Sequence, residues 1–262
     1  MFDAKRLLDQ FLGAQGSSMP GGRHDGFNQP TRGQSGGGGL GDLVGGLGNV
    51  LGGSGGGLGG GAVAGGLAAL LLGSKSGRKM AGSALQLGGM AVVGAIAYKA
   101  YQDWQSGRSV APSTVPTALP PPPADTPFLP TRDSEQQSLS RHLLRAMIAA
   151  AKCDGHIDAK EQATIFAEMD KLPLDADDKA FVMAELRKPL DVDAVAGGAR
   201  SPEEAASIYT ASLLAIDVDN PAERAYLGLL AARLHLDEAL VKHLHATVEN
   251  ATLPQTSPAM AS

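Results

Sequence analysis

The sequence predicts an all-α protein whose folded part, a domain of six or seven helices over residues 134–251, is internally duplicated. Three observations carry this. First, every strong apolar pattern after residue 134 has helical period, and no strand-like alternation competes with it. Second, the stretch Lys152-Cys153-Asp154-Gly155-His156-Ile157-Asp158-Ala159-Lys160-Glu161 has an echo at Asp217-Val218-Asp219-Asn220-Pro221-Ala222-Glu223. A shift of 62 positions pairs Asp158 with Asn220, Glu161 with Glu223, Leu172 with Leu234, Leu174 with Leu236 and Asp175 with Asp237. Third, the 35 glycines of this 262-residue chain concentrate before residue 95 and the prolines between 112 and 130, so the first half is built differently from the second.

Charge divides the same way. Residues 134–262 hold 20 acids against 12 lysines and arginines, net −8; residues 1–133 hold 7 against 10, net +3. An acidic domain repels phosphate backbones, which argues against nucleic acid as a partner. The single Cys153 allows no internal disulfide. Aromatic content of 4% supplies no stacking platform.

Residues 1–14 read as an amphipathic helix, with Leu7, Leu8, Phe11 and Leu12 on one face. It suits a membrane surface, a docking partner or a weakly packed end. Residues 15–57 are glycine-rich and of low complexity, and are expected to be disordered because they bury too little apolar area to offset backbone entropy. Residues 58–98 are read as a membrane segment, one span or a hairpin. They hold two uncharged runs, Leu58 to Gly73 and Met80 to Tyr98, separated by Lys75, Arg78 and Lys79. Each run is short or glycine-diluted against the roughly 20 apolar residues a spanning helix needs. Small residues at Gly57, Gly61 and Gly65, at Ala84 and Gly88, and at Ala91 and Ala95 have the spacing of a glycine zipper, which also allows self-association. Tyr98, Tyr101 and Trp104 then fall where an interfacial aromatic belt belongs. The competing reading is a hairpin buried in a soluble assembly. Residues 105–133 form a proline-rich linker and 252–262 a disordered tail.

Within the helical domain, Asp158-x-x-Glu161 and Asn220-Pro221-x-Glu223 fit reciprocal helix caps, and Asp175 and Asp237 fit caps of the helices that follow. Ser201-Pro202-Glu203-Glu204 is a helix start with proline at the first position. Capping leaves Asp154, His156, Asp217 and Asp219 over. Asp-Gly-x-x-Asp-x-x-Glu offers a hard divalent cation several oxygens from one turn, although the spacing is not that of an EF-hand. A structural carboxylate network is the alternative.

The run Ala149-Ala150-Ala151-Lys152-Cys153-Asp154-Gly155-His156-Ile157-Asp158-x-x-Glu161, with Leu214-Ala215-Ile216-Asp217-Val218-Asp219-x-Pro221-x-Glu223-Arg224-x-Tyr226-Leu227, resembles the TerB-like domain of tellurite-resistance proteins. With Met1-Phe2-Asp3-Ala4-Lys5 and the glycine-rich region, the whole chain resembles the YebE-type inner membrane proteins. The resemblance implies a metal site drawing on Asp154, Asp158, Glu161, Asp217, Asp219 and Glu223. It departs from the pattern at Cys153, and at Ile216-Asp217-Val218-Asp219, which lacks a glycine turn. No His-Pro-Asp triplet is present, so a J-domain role is excluded. The function expected is a membrane-anchored sensor or adaptor that binds a divalent ion or a protein partner, in tellurite or envelope stress. Its place would be the bacterial inner membrane, with the C-terminal domain cytoplasmic. The alternatives are a metal-dependent hydrolase and a purely structural scaffold. No catalytic residue or organic cofactor is expected, since no nucleophile–base arrangement stands out.

Overall fold

The computed structural model describes residues 2–12, 88–109, 119–153, 174–216, 218 and 220–252. These belong to one compact unit, Met1–Gly16 with Val63–Ser262; the other unit, Ser17–Ala62, lies outside the described residues. Eight helices are described: α1 (Ala4–Leu12), α2 (Gly89–Gln105), α3 (Asp133–Ala151), α4 (Ala176–Arg187), α5 (Val192–Ala196), α6 (Pro202–Ala215), α7 (Pro221–Arg233) and α8 (Glu238–Ala251). No strand occurs among the described residues, only an isolated bridge between Thr126 and Leu129. The all-helical expectation is met.

Helix α6 is the centre. Ser201 caps it by accepting from the Glu204 N–H at 3.2 Å, Pro202 opens it, and every residue from Ala205 to Ala215 is buried. A helix that is apolar all round needs neighbours on all sides, and α6 has α3, α2, α7 and α8. Its buried serines and threonine do not break that burial because each finds a carbonyl. Ser207 donates to Glu203 O, Thr210 to Ala206 O and Ser212 to Ala146 O on α3.

Two of the caps expected at the 62-residue offset are described. Asp175 opens α4 by accepting from the Asp178 N–H at 2.9 Å, and Asp237 opens α8 by accepting from the Ala239 N–H at 2.8 Å. These two aspartates stand 62 positions apart, with Leu174 and Leu236 preceding them and packing on the same core. Leu172, Asp158 and Glu161 lie outside the described residues.

Three segments expected to lie apart from this domain pack on it. Helix α2 contains the last part of the run expected to enter a membrane, yet Val93, Ala95, Ile96, Ala97 and Ala100 are wholly buried against protein. It packs on α8, α6 and α1. Burial inside a bundle and burial in lipid select the same apolar residues, so composition could not separate them. Length does, because α2 has 17 residues and carries the Lys99–Asp103 ion pair in its second half. No helix among the described residues is long and apolar enough to cross a membrane.

The supposed aromatic belt is a seam. Tyr98 and Tyr101 meet the edge of Phe128 at 5.6 and 5.7 Å between centroids. Phe128 lies in the second half of the proline-rich segment, which is therefore docked rather than a spacer there; Pro122 and Pro130 are also buried. A turn from Asp125 to Leu129 shapes it, closed by the Asp125 N–H on Leu129 O at 3.0 Å. Gly94 makes the approach possible, since a Cβ there would stand 2.4 Å from Phe128 O. Gly94→Ala is expected to lever this strap off α2 and cost about 1–3 kcal/mol. Urea unfolding followed by Trp104 emission measures it; an unchanged midpoint contradicts the tight fit.

Helix α1 closes the bundle over α2 and α3, with Ala4, Leu7 and Leu8 wholly buried. Asp3 caps it, accepting from the Arg6 N–H at 2.9 Å. Gln137 of α3 accepts from the Ala4 N–H and donates to Asp3, both at 2.7 Å. Phe2 stacks on Phe181 of α4 at 4.4 Å, and Arg141 lies 5.5 Å over the Phe2 ring. The amphipathic helix expected from the sequence thus docks within its own chain.

Candidate functional site

Of the six residues that would form the acidic metal site, Asp154, Asp158, Glu161, Asp217 and Asp219 lie outside the described residues, as does His156. Glu223 is placed, and it works as a cap. The Asn220 side chain accepts from the Ala222 N–H at 2.8 Å while Glu223 accepts from the Asn220 N–H at 3.3 Å. Among the described residues no group of three or more His, Cys, Asp or Glu could hold a metal ion.

Two concavities are described instead. The first has a volume of about 360 Å³ and lies where the C-terminal ends of α3 and α4 meet α5. Arg145, Ile148, Ala149 and Lys152 share one face of α3, as the three- and four-residue spacing dictates. Lys152 is buried, and its ammonium donates to Glu185 O at 2.7 Å and Lys188 O at 2.6 Å, carbonyls left over at the end of α4. Glu185 is buried too, and it receives Arg145 through Nε and Nη2 at 3.3 and 3.1 Å and Lys188 at 2.6 Å. Burial opposes ionisation of Glu185, but Lys188 and Arg145 outweigh it and hold the carboxyl below its ordinary range. Burial likewise lowers the Lys152 ammonium, with Glu185 pulling the other way.

The second is a groove of about 710 Å³ between the end of α2, the α5–α6 connection and the α7–α8 connection. Tyr101 and Trp104, 5.4 Å apart between centroids, line it together with Pro202, Leu236 and Leu240. Arg233 is paired with Asp193 at 3.1 Å. Arg200 donates to Ser138 at 2.9 Å and has no carboxylate on its guanidinium among the described residues.

Among the described residues neither concavity holds a nucleophile with its base. Tyr209 meets His245 at 2.9 Å, but burial pushes the phenol up to about 12 and the imidazole below its ordinary value. Burial also pushes Tyr226 up to about 12, despite its contact with Ser212. Both phenols stay neutral and serve as internal polar ties.

The family model described as a protein of unknown function, DUF533, matches residues 57–248. The chain belongs to the DUF533 family. It is also 33% identical, over 98 residues, to an uncharacterized protein in the ampR 5' region of Yersinia enterocolitica. That stretch is 37% of this chain and 70% of the relative. No solved structure matches the chain.

Sequence reasoning placed the caps of this DUF533 chain and passed over both concavities. Tyr101 and Trp104 stand out in the sequence as an interfacial aromatic belt, because what lines the groove with them comes from residues far along the chain. Lys152 stood inside the conspicuous acidic stretch. Its signal was position, since a lysine at the end of a helix is well placed to reach another helix's last carbonyls.

Proposed function

We propose that this DUF533 member is a non-catalytic, TerB-like binding module that docks an extended segment of a partner protein in the Tyr101–Trp104 groove. The groove itself carries the reading. A wide, mostly apolar concavity with two adjacent aromatic rings is the usual form of a recognition site, and here Asp193, Arg200, Arg233, His235 and Asp237 supply its polar groups. Aromatic ridges favour proline-containing extended peptides, which lose little entropy on binding. Arg200, lacking a carboxylate among the described residues, favours an acidic group on the partner.

Trp104 is the only tryptophan, so the emission of the folded chain comes from the groove. Peptides selected from a displayed library on the full chain are expected to shift that emission. Arg200→Glu should weaken those carrying an acidic residue by about tenfold, the effect of one charge-assisted contact. Selected peptides that leave the emission unchanged, and bind Trp104→Ala equally well, refute the reading.

Divalent-ion binding by Asp154, Asp158, Glu161, Asp217, Asp219 and Glu223 stays a separate proposal, resting on the sequence and the TerB-like resemblance. A cation at a hundredfold excess over its dissociation constant should stabilise the fold by about 2.7 kcal/mol, and Asp154→Asn should remove that gain. Equal melting temperatures with calcium, magnesium, manganese, zinc and chelator dismiss it. Attachment to the inner membrane within the run Leu58 to Gly73, by an insertion that enters and leaves through one face, with the helical domain cytoplasmic, and a role in tellurite or envelope stress, rest on the same grounds.

A further inference from the structure

We propose that the cleft between the ends of α3 and α4 binds a phosphate group. The domain is acidic, yet this cleft runs against its sign, being lined by Arg145, Lys152 and Lys188 against Glu185 and Asp191. Arg145 and Lys188 both bear on the one Glu185 carboxylate. Asp191 is engaged at 2.9 Å by the Ala194 N–H, as the cap of α5. Lys152 has no carboxylate among its hydrogen-bond partners, only two carbonyls, and an ammonium has three protons to donate. One N–H of a side chain only 8% exposed therefore lacks a described partner at the wall of a cavity large enough for a small ligand.

The surroundings reinforce the sign. His142, next along α3, sits near Arg141, Arg145 and Arg200, and the Gly198 backbone fits closely over its ring, whose atoms lie 2.9–3.2 Å from where a Cβ on Gly198 would stand. Arg141 is spent on the Phe2 ring and Arg200 on Ser138, so neither is ion-paired among the described residues. Several cations, two of them lysines that act as point charges, suit a compact multivalent anion better than a flat carboxylate. The competing account is that Lys152 only caps α4 by binding its last carbonyls. That account makes Lys188 irrelevant to any ligand.

The test uses the full chain and glycerol 3-phosphate, observed by phosphorus line broadening at constant ionic strength. Saturable broadening is expected, with affinity lowered about tenfold in Lys152→Met and severalfold in Lys188→Gln. Lys188 is half exposed, so its variant keeps the fold and decides the matter even if Lys152→Met does not fold. No broadening with the native chain, or equal affinity in Lys188→Gln, overturns the site. A second arm compares vesicles containing phosphatidic acid with vesicles of phosphatidylcholine alone. Extra partition to the anionic vesicles that Lys188→Gln loses assigns the phosphate to a lipid headgroup. Binding of the free ester without that difference assigns it to a soluble ligand.

Discussion

A chain beginning at Asp133 is expected to lose its cooperative fold, although all the helices from α3 to α8 remain in it. Deleting residues 1–132 takes away α1 and α2, and with them Leu7, Leu8, Val93 and Ile96, each wholly buried. Burying one such side chain contributes about 1.5–3 kcal/mol, so these four alone approach the about 5–15 kcal/mol by which domains are stable. The loss also uncovers α6, whose buried circumference needs α2 on one side. Far-ultraviolet circular dichroism should retain helix content while the urea transition broadens or vanishes. A sharp transition near that of the full chain would show that α1 and α2 are accessories. A chain joining 1–14 to 88–252 is the complement and should recover the transition.

Arg6→Met should destabilise the protein by about 3 kcal/mol, an effect out of proportion to a half-exposed surface arginine. Arg6 bridges Asp175, the cap of α4, and Asp178 one turn on, and Asp178 is fully buried. The second oxygen of Asp178 has no hydrogen-bond partner, so Arg6 is what offsets its burial. Removing one partner of such a pair leaves a charge stranded in apolar surroundings. The figure belongs at the low end of the range because Arg6 itself stays in contact with water. Asp175 is held below the ordinary carboxylate range first by the Asp178 N–H and then by Arg6. Arg6→Met combined with Asp178→Leu should restore most of the loss, since an apolar pair of similar volume needs no compensation. Chemical denaturation of the two variants decides it. A single variant within a few tenths of a kcal/mol of the native chain would mean that Asp178 finds another partner.

Much of the C-terminal half was legible because its signals are local. Ser201-Pro202-Glu203-Glu204, Asn220-x-x-Glu223, Asp175 and Asp237 satisfy backbone donors within a few residues of themselves, and each caps the helix expected of it. The N-terminal contribution was not legible. Whether Gly89–Gln105 meets lipid or protein depends on α8, more than a hundred residues away, and a window of sequence contains no trace of it. Gly94 falls outside the small-residue spacing of Ala91 and Ala95, and its use is to admit a proline-flanked turn. The candidate site divides likewise. Glu223 could be assigned from its spacing, whereas the Lys152 cleft exists only because α3 and α4 end side by side.

The docking of α1 also constrains how the protein meets a membrane. Ala4 bonds to Gln137, 133 positions away, and the chain leaves α1 at Leu12 and returns at Gly89 into the same body. Both ends of the intervening stretch are therefore on one side of any bilayer, and the number of complete crossings between them must be even. A lone span is incompatible with the docked helix. A shallow insertion that enters and leaves by the same face is compatible, and so is a pair of spans. Reporters fused at the two termini should report the same compartment in every case; opposite compartments would require α1 to have left its seat.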